Sequence, residues 1–151
     1  MLKNNKGITL TSLTIYVIVL MIVIALMSGF VGYFNKNINN ITASEESDEQ
    51  FTLFLEYITK DIKKEDITFI KTGTSDDINY VIIKFENEIE HQYLYANNAI
   101  YYIDKTNEKK INLSDNVSSC NFTYDKDKKT LSFDIMINNK QYSKILIVEY
   151  I

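Results

Sequence analysis

Between Lys6 and Lys36 the chain carries no charged side chain, and nothing else in the sequence restricts its folding as much. As a helix, the run from Ile8 to Phe34 would rise about 40 Å at about 1.5 Å per residue. A bilayer hydrocarbon core is about 30 Å thick, so the run is long enough to cross one. The residues Thr9, Thr11, Ser12, Thr14 and Tyr16 place polarity at its start, and from Val17 to Leu26 every residue is apolar. Ser and Thr hydroxyls can bond back to helix carbonyls and are tolerated in such a segment. A helix apolar all round has no polar face to give to water, so it has to sit in lipid or among other apolar helices.

Charge gives the run an orientation. Lys3 and Lys6 precede it, and Glu45, Glu46, Asp48 and Glu49 follow soon after. The positive-inside tendency puts the N-terminus in the cytoplasm and the rest of the chain outside, with Lys36 opposing this weakly. A cleavable secretory signal fits poorly, because the run exceeds the usual apolar length of about 7–15 residues and no small-x-small site follows it. Two readings remain. One is an uncleaved single-pass anchor that carries an extracellular binding domain. The other turns on Gly7, which stands before the apolar run, so that a cut after it would leave the whole helix on the mature chain.

The segment Lys6-Gly7-Ile8-Thr9-Leu10, between a short basic leader and an apolar helix, resembles the class III signal of the type IV pilin family. That family includes type IV pilins, type II secretion pseudopilins and competence pilins. The resemblance covers about residues 3–34. It implies a leader, 1–7, removed by a prepilin peptidase between Gly7 and Ile8, with N-methylation of Ile8. It also implies a transmembrane and assembly helix, 8–34, that inserts in the cytoplasmic membrane and then packs against other pilin subunits through the inner pilus assembly machinery. The family usually has Glu at the fifth mature position, where this chain has Ser12. A carboxylate in apolar surroundings needs a partner, and in the family that Glu is thought to meet the N-terminal amine of a neighbouring subunit. Its absence is a feature of some minor subunits, so the resemblance points to a minor pilin that starts or caps a filament at the cell surface. Abundant Asn, Ile, Lys and Tyr fit an AT-rich genome, and the expected source is a Gram-positive bacterium. The expected partners are the peptidase, pilin subunits, the assembly machinery and membrane lipid, and the expected role is structural, with no catalysis and no cofactor.

Late in the run, Gly29 and Gly32 either permit close helix approach or are simply tolerated near the membrane exit. Residues 35–44 are polar and poor in helix formers, and read as a hinge or as helix continuation, with Ser44 or Ser47 available to cap a new segment. Over 45–66 the period is helical. Phe51, Phe54, Leu55, Ile58 and Ile62 fall within an arc of about 100°, the width of one buried face; Leu53 points away from it. Over 67–151 the pattern turns to short runs of β-branched and aromatic residues. Tight turns are expected at Asn97-Asn98 and Asn138-Asn139, a polar turn at Asp125 to Lys129, and a loop over Thr72 to Asp77. The fold class is α+β: a long N-terminal helix, half membrane and half amphipathic, packed on an antiparallel β-meander as in pilins.

Signals for chemistry are sparse. The glycines stand at 7, 29, 32 and 73, so there is no Gly-rich phosphate loop. His91 lies in an expected strand as a surface or partly buried residue, with no Cys or second His near it in sequence, so no zinc site is expected. Cys120 cannot form an internal disulfide and is expected in the core. Asp125 and Asp127 stand among Lys126, Lys128 and Lys129, which oppose a cation, so no metal is expected. Lys105, Lys109 and Lys110 with Tyr101 and Tyr102 could contact nucleic acid, but Asp104 and Glu108 interrupt them. A net charge of -4 argues against nucleic acid as a partner.

Overall fold

The computed structural model describes residues 6–75 and 78–149. The expected leader residues 1–5 and the loop residues Asp76 and Asp77 lie outside them. The chain divides into two compact units, residues 1–42 and 43–151, and each is described by itself. One helix, α1 (Lys6–Ile62), runs through the boundary. It is followed by β1 (Ile67–Ser75), β2 (Ile78–Phe85), β3 (Glu90–Ala96), β4 (Ala99–Asp104), β5 (Lys109–Ser114), β6 (Val117–Asp125), β7 (Thr130–Ile137) and β8 (Lys140–Ile147).

Of the two readings of 35–44, hinge or helix continuation, the structure has helix continuation. This stretch holds no Gly or Pro, and its Asn and Thr residues cost only about a few tenths of a kcal/mol each against better helix formers. Continuing the ladder therefore costs less than leaving a helix end unsatisfied. Accordingly Ser44 and Ser47 cap nothing. The Ser47 hydroxyl donates to the Ala43 carbonyl at 2.7 Å and accepts from Asn138 Nδ2 at 3.0 Å, in a fully buried position. The helix stops at Ile62, short of Asp66. Lys63 N still makes the regular helical bond to Thr59 O at 3.1 Å, and the chain then tightens, with Lys64 N on Asp61 O at 3.2 Å.

In the second unit the stripe read from the sequence faces the core. Phe54 and Ile58 are fully buried, Ile62 nearly so, and Phe51 and Leu55 are half-buried against them. Leu53, off the stripe, is exposed. The strands form two antiparallel sheets where the sequence suggested one meander, one in the order β1-β2-β3-β4-β5 and one in the order β6-β7-β8. After β5 the chain does not pair β6 beside it. Ser114 and Asp115 are instead drawn to the helix, where Gln50 Oε1 accepts from Ser114 Oγ at 2.9 Å and from Asp115 N at 3.0 Å. Strand β6 lies near β1 and β2, joined to them through side chains: Asn79 Nδ2 donates to Cys120 O at 2.6 Å, and Tyr124 N to Thr72 Oγ1 at 3.3 Å. Strand β1 runs through most of the expected 72–77 loop, to Ser75. A Cβ at Gly73 would stand 2.6 Å from the Tyr80 hydroxyl opposite, so the glycine makes room for a ring across the strands.

Phe54 binds the two sheets to the helix. Its ring meets Tyr93 of β3 at 6.0 Å and Phe133 of β7 at 5.1 Å, both edge to face. Turn chemistry sets the hairpin registers. Asn97-Asn98 and Asn138-Asn139 all have positive φ and close two-residue hairpins, as Asn permits. The β4–β5 and β6–β7 turns share another design: Asp104 Oδ1 accepts from the backbone of Thr106 and Asn107, and Asp125 Oδ1 from that of Asp127 and Lys128. Each then closes on a positive-φ residue, Glu108 or Lys129.

Candidate functional site

The motif Lys6 to Leu10 opens α1, so the Gly7–Ile8 bond lies in its first turn. A first turn has no backbone acceptors for its N–H groups and is the part of a helix that unwinds at least cost. Ser12 is exposed on the next turn, and no acidic residue precedes Glu45. From Leu10 to Lys36 every side chain is exposed. Thr14 Oγ1 and Ser28 Oγ donate to the carbonyls of Leu10 and Ile24, each at 2.9 Å, which satisfies these hydroxyls inside an apolar segment. Among the described residues this is the one helix long and apolar enough to cross a membrane. A Cβ at Gly29 or Gly32 would meet nothing within 4 Å, so neither glycine is required by contacts of its own chain. Met27, Phe30, Val31 and Phe34 line an apolar groove over that stretch.

The second polar constellation lies where α1 ends, and the sequence reading missed it. His91 is a core residue, 6 % exposed, which corrects its expected place at or near the surface. Its Nδ1 is 2.7 Å from Asp61 Oδ2, which also accepts from the Tyr93 hydroxyl at 2.7 Å, while Lys64 Nζ sits 3.0 Å from Asp61 Oδ1. His91 Nε2 faces Asp104 Oδ2 at 3.9 Å. Burial pushes the Asp61 carboxyl up, but the bonds from His91, Tyr93 and Lys64 outweigh it, and the group ends below the usual carboxylate range. The same burial, with Asp61 alongside, pushes the Tyr93 phenol far up. The cluster ties helix to sheet: a carboxylate on α1 is held by donors from β3. The signal in the sequence was Asp61 beside Ile62 on the apolar face. An acidic residue there requires a buried donor.

The other residues singled out have ordinary roles. Lys110 Nζ lies 4.0 Å from the Tyr101 ring centroid and Lys105 Nζ 3.7 Å from Glu90 Oε1, so both amines have local partners. Asp125 is occupied by its own turn and by Lys128 Nζ at 3.3 Å. Cys120 is buried in the core, and burial pushes its thiol well up, into an unreactive form. Among the described residues no group of His, Cys, Asp and Glu side chains converges as a metal site. No family model, curated protein or solved structure was found to match this chain.

Proposed function

We propose that the chain is a minor subunit of a type IV pilus or related pseudopilus, inserted in the cytoplasmic membrane by α1 and cut between Gly7 and Ile8 by a prepilin peptidase. One observation carries this reading: the segment Lys6-Gly7-Ile8-Thr9-Leu10 sits directly at the head of an apolar helical stretch whose side chains are exposed from Leu10 to Lys36. A plain anchor needs the helix but not the motif. The junction lies in the helix turn that opens most easily, which suits cleavage there. After processing, Ile8 carries an N-methyl group, and the helix passes from lipid to a bundle of like helices, where apolar burial is regained. The exposed glycines Gly29 and Gly32 fit such close packing.

Ser12 gives the subunit its place. With no carboxylate between Ile8 and Phe34, it makes no buried pair with a neighbour's amine, so it begins or caps a filament and does not propagate it. Mass spectrometry of the N-terminus from native membranes tests the proposal. A mature terminus at methylated Ile8 is expected, and intact Met1 in cells with an active prepilin peptidase overturns it. In the same cells Ser12→Glu is expected to shift the subunit along the shaft. Unchanged localisation removes Ser12 as the determinant.

A further inference from the structure

Strand β8 is the outer edge of the three-stranded sheet. The Asn138-Asn139 hairpin decides which of its backbone groups that sheet uses. Both Asn residues have positive φ, and a two-residue turn of this kind leaves the flanking Ile137 and Lys140 as a hydrogen-bonded pair. Antiparallel pairs alternate between bonded and non-bonded, so Lys140, Tyr142, Lys144 and Leu146 bond to β7 through their backbones. Val148 N, which donates to Lys129 O at 2.9 Å, keeps the same phase. The N–H and C=O groups of Gln141, Ser143, Ile145 and Ile147 therefore point away from the sheet, as a row of unpaired donors and acceptors. Ile145 and Ile147 are also 66 % and 69 % exposed, more than any other large apolar side chain described in residues 43–149. Across the strands Ile145 is followed by Ser132 and Thr123, and Ile147 by Thr130 and Asp125. Their own sheet gives them no apolar neighbour across that face.

Sheet edges are commonly defended by lysines, by proline or by a bulge. Strand β5, an edge of the other sheet, carries exposed Lys109 and Lys110. Strand β8 pairs with β7 without a register shift, and Lys140 is drawn back to Asp48 at 2.7 Å. The side chains at its open positions, Gln141, Ser143, Ile145 and Ile147, are all uncharged. Such a row can meet a copy of itself without like charges opposing. A two-fold axis sets the same patch of two copies face to face, with the strands antiparallel as they are within the sheet. We propose that β8 pairs with β8 of a second copy of this chain, joining the two three-stranded sheets edge to edge, with Ile145 of each copy opposite Ile147 of the other. That register gathers the isoleucines of both copies on one face and supplies the apolar neighbours that β7 lacks. It also sets Lys144 opposite Val148, whereas a register with Lys144 opposite Lys144 brings like charges together and is disfavoured.

Amide hydrogen exchange of the full chain in detergent micelles, followed residue by residue by NMR, tests this. A single strand-to-strand edge is a small interface and makes a weak dimer, with an expected dissociation constant of about 0.1 mM. Between about 0.05 and about 1 mM protein, the Ile145 and Ile147 amides are expected to slow about threefold by mass action. The Lys144 and Leu146 amides, already bonded to β7, are expected to be slow throughout. Ile145→Lys places ammonium groups in the shared face and is expected to abolish the concentration dependence. Its melting temperature is expected to be unchanged, because the side chain it replaces is exposed. Edge amides equally fast at every concentration would leave the edge to a strand of another protein, and overturn the proposal. So would a dimer in which the Ile145 and Ile147 amides stay fast, as association through α1 alone gives, or slowing that survives Ile145→Lys. The proposal does not rest on processing at Gly7: an intact Met1 leaves this result standing, and unprotected edge amides leave the N-terminal result standing.

Discussion

Residues Leu10–Phe34 and Ala43–Ile62 share one helix and almost nothing else. In the first stretch the backbone ladder is complete and no side chain is buried. In the second, Phe54 and Ile58 lose all contact with solvent. Helical geometry is therefore common to both, while the source of stability is not. The second stretch is held by its own sheets. The first has apolar surface on every side, and its burial must come from outside the chain, whether from lipid or from other helices.

Substitution separates the two most sharply at the rings. Phe54→Ala is expected to destabilise the head, the unit of residues 43–151, by about 3–5 kcal/mol, as loss of a buried aromatic usually does, read as the midpoint of urea unfolding in micelles. Leu20→Ala should leave that midpoint unmoved and weaken retention in membranes. Equal effects would mean that the two stretches are not energetically distinct.

Next in size is the tie at the end of the second stretch. Asp61→Asn takes the charge from the acceptor of His91, Tyr93 and Lys64, at an expected cost of about 2–3 kcal/mol at neutral pH. Because the folded carboxyl lies below the ordinary range, its ionised form favours the fold. That contribution is complete above the unfolded value of about 3.9 and is lost as pH falls through the lower folded value. The native head should therefore lose melting temperature below about pH 4, and Asp61→Asn should flatten that acid limb. An acid limb of the same steepness in both proteins would show that Asp61 does not carry it.

The smallest effect is expected at the beginning of the second stretch. Lys140 Nζ reaches Asp48 at 2.7 and 2.8 Å, and the Tyr142 hydroxyl reaches the same carboxylate at 2.7 Å. The bond from Lys140, then that from Tyr142, holds the Asp48 carboxyl below its usual range. The pair is open to solvent, so Lys140→Gln should lower the melting temperature slightly at low salt and not at high salt. A salt-independent loss would make packing against Tyr142, not charge, the reason Lys140 matters.

What could be read beforehand follows the same division. Periodicity exposed both helical stretches, since Val17–Leu26 is apolar throughout while Phe51, Phe54, Leu55, Ile58 and Ile62 are spaced for one face. Residues 35–44 were harder, because weak propensity marks both a hinge and a tolerated helix, and a local count cannot choose between them. The Asn pairs announced their turns through a backbone preference that neighbours do not alter. The split into two sheets was not legible: it depends on Gln50 drawing Ser114 and Asp115 to the helix, across a long separation in sequence. His91 was misjudged for the same reason. Its strand was visible, but its partner Asp61 is on another element, and pairing of that kind is written only in the fold.

Cys120 has a use that follows from where it lies. It is the chain's one thiol, sealed between the sheets and kept unreactive by burial. A thiol reagent can modify it only when the surrounding strands part, so the modification rate measures how often the head opens. Such a clock also runs in a bilayer, where heat and denaturant transitions are hard to interpret. Comparing its rate there with its rate in a micelle reports directly whether the surroundings tighten the head or leave it as it was.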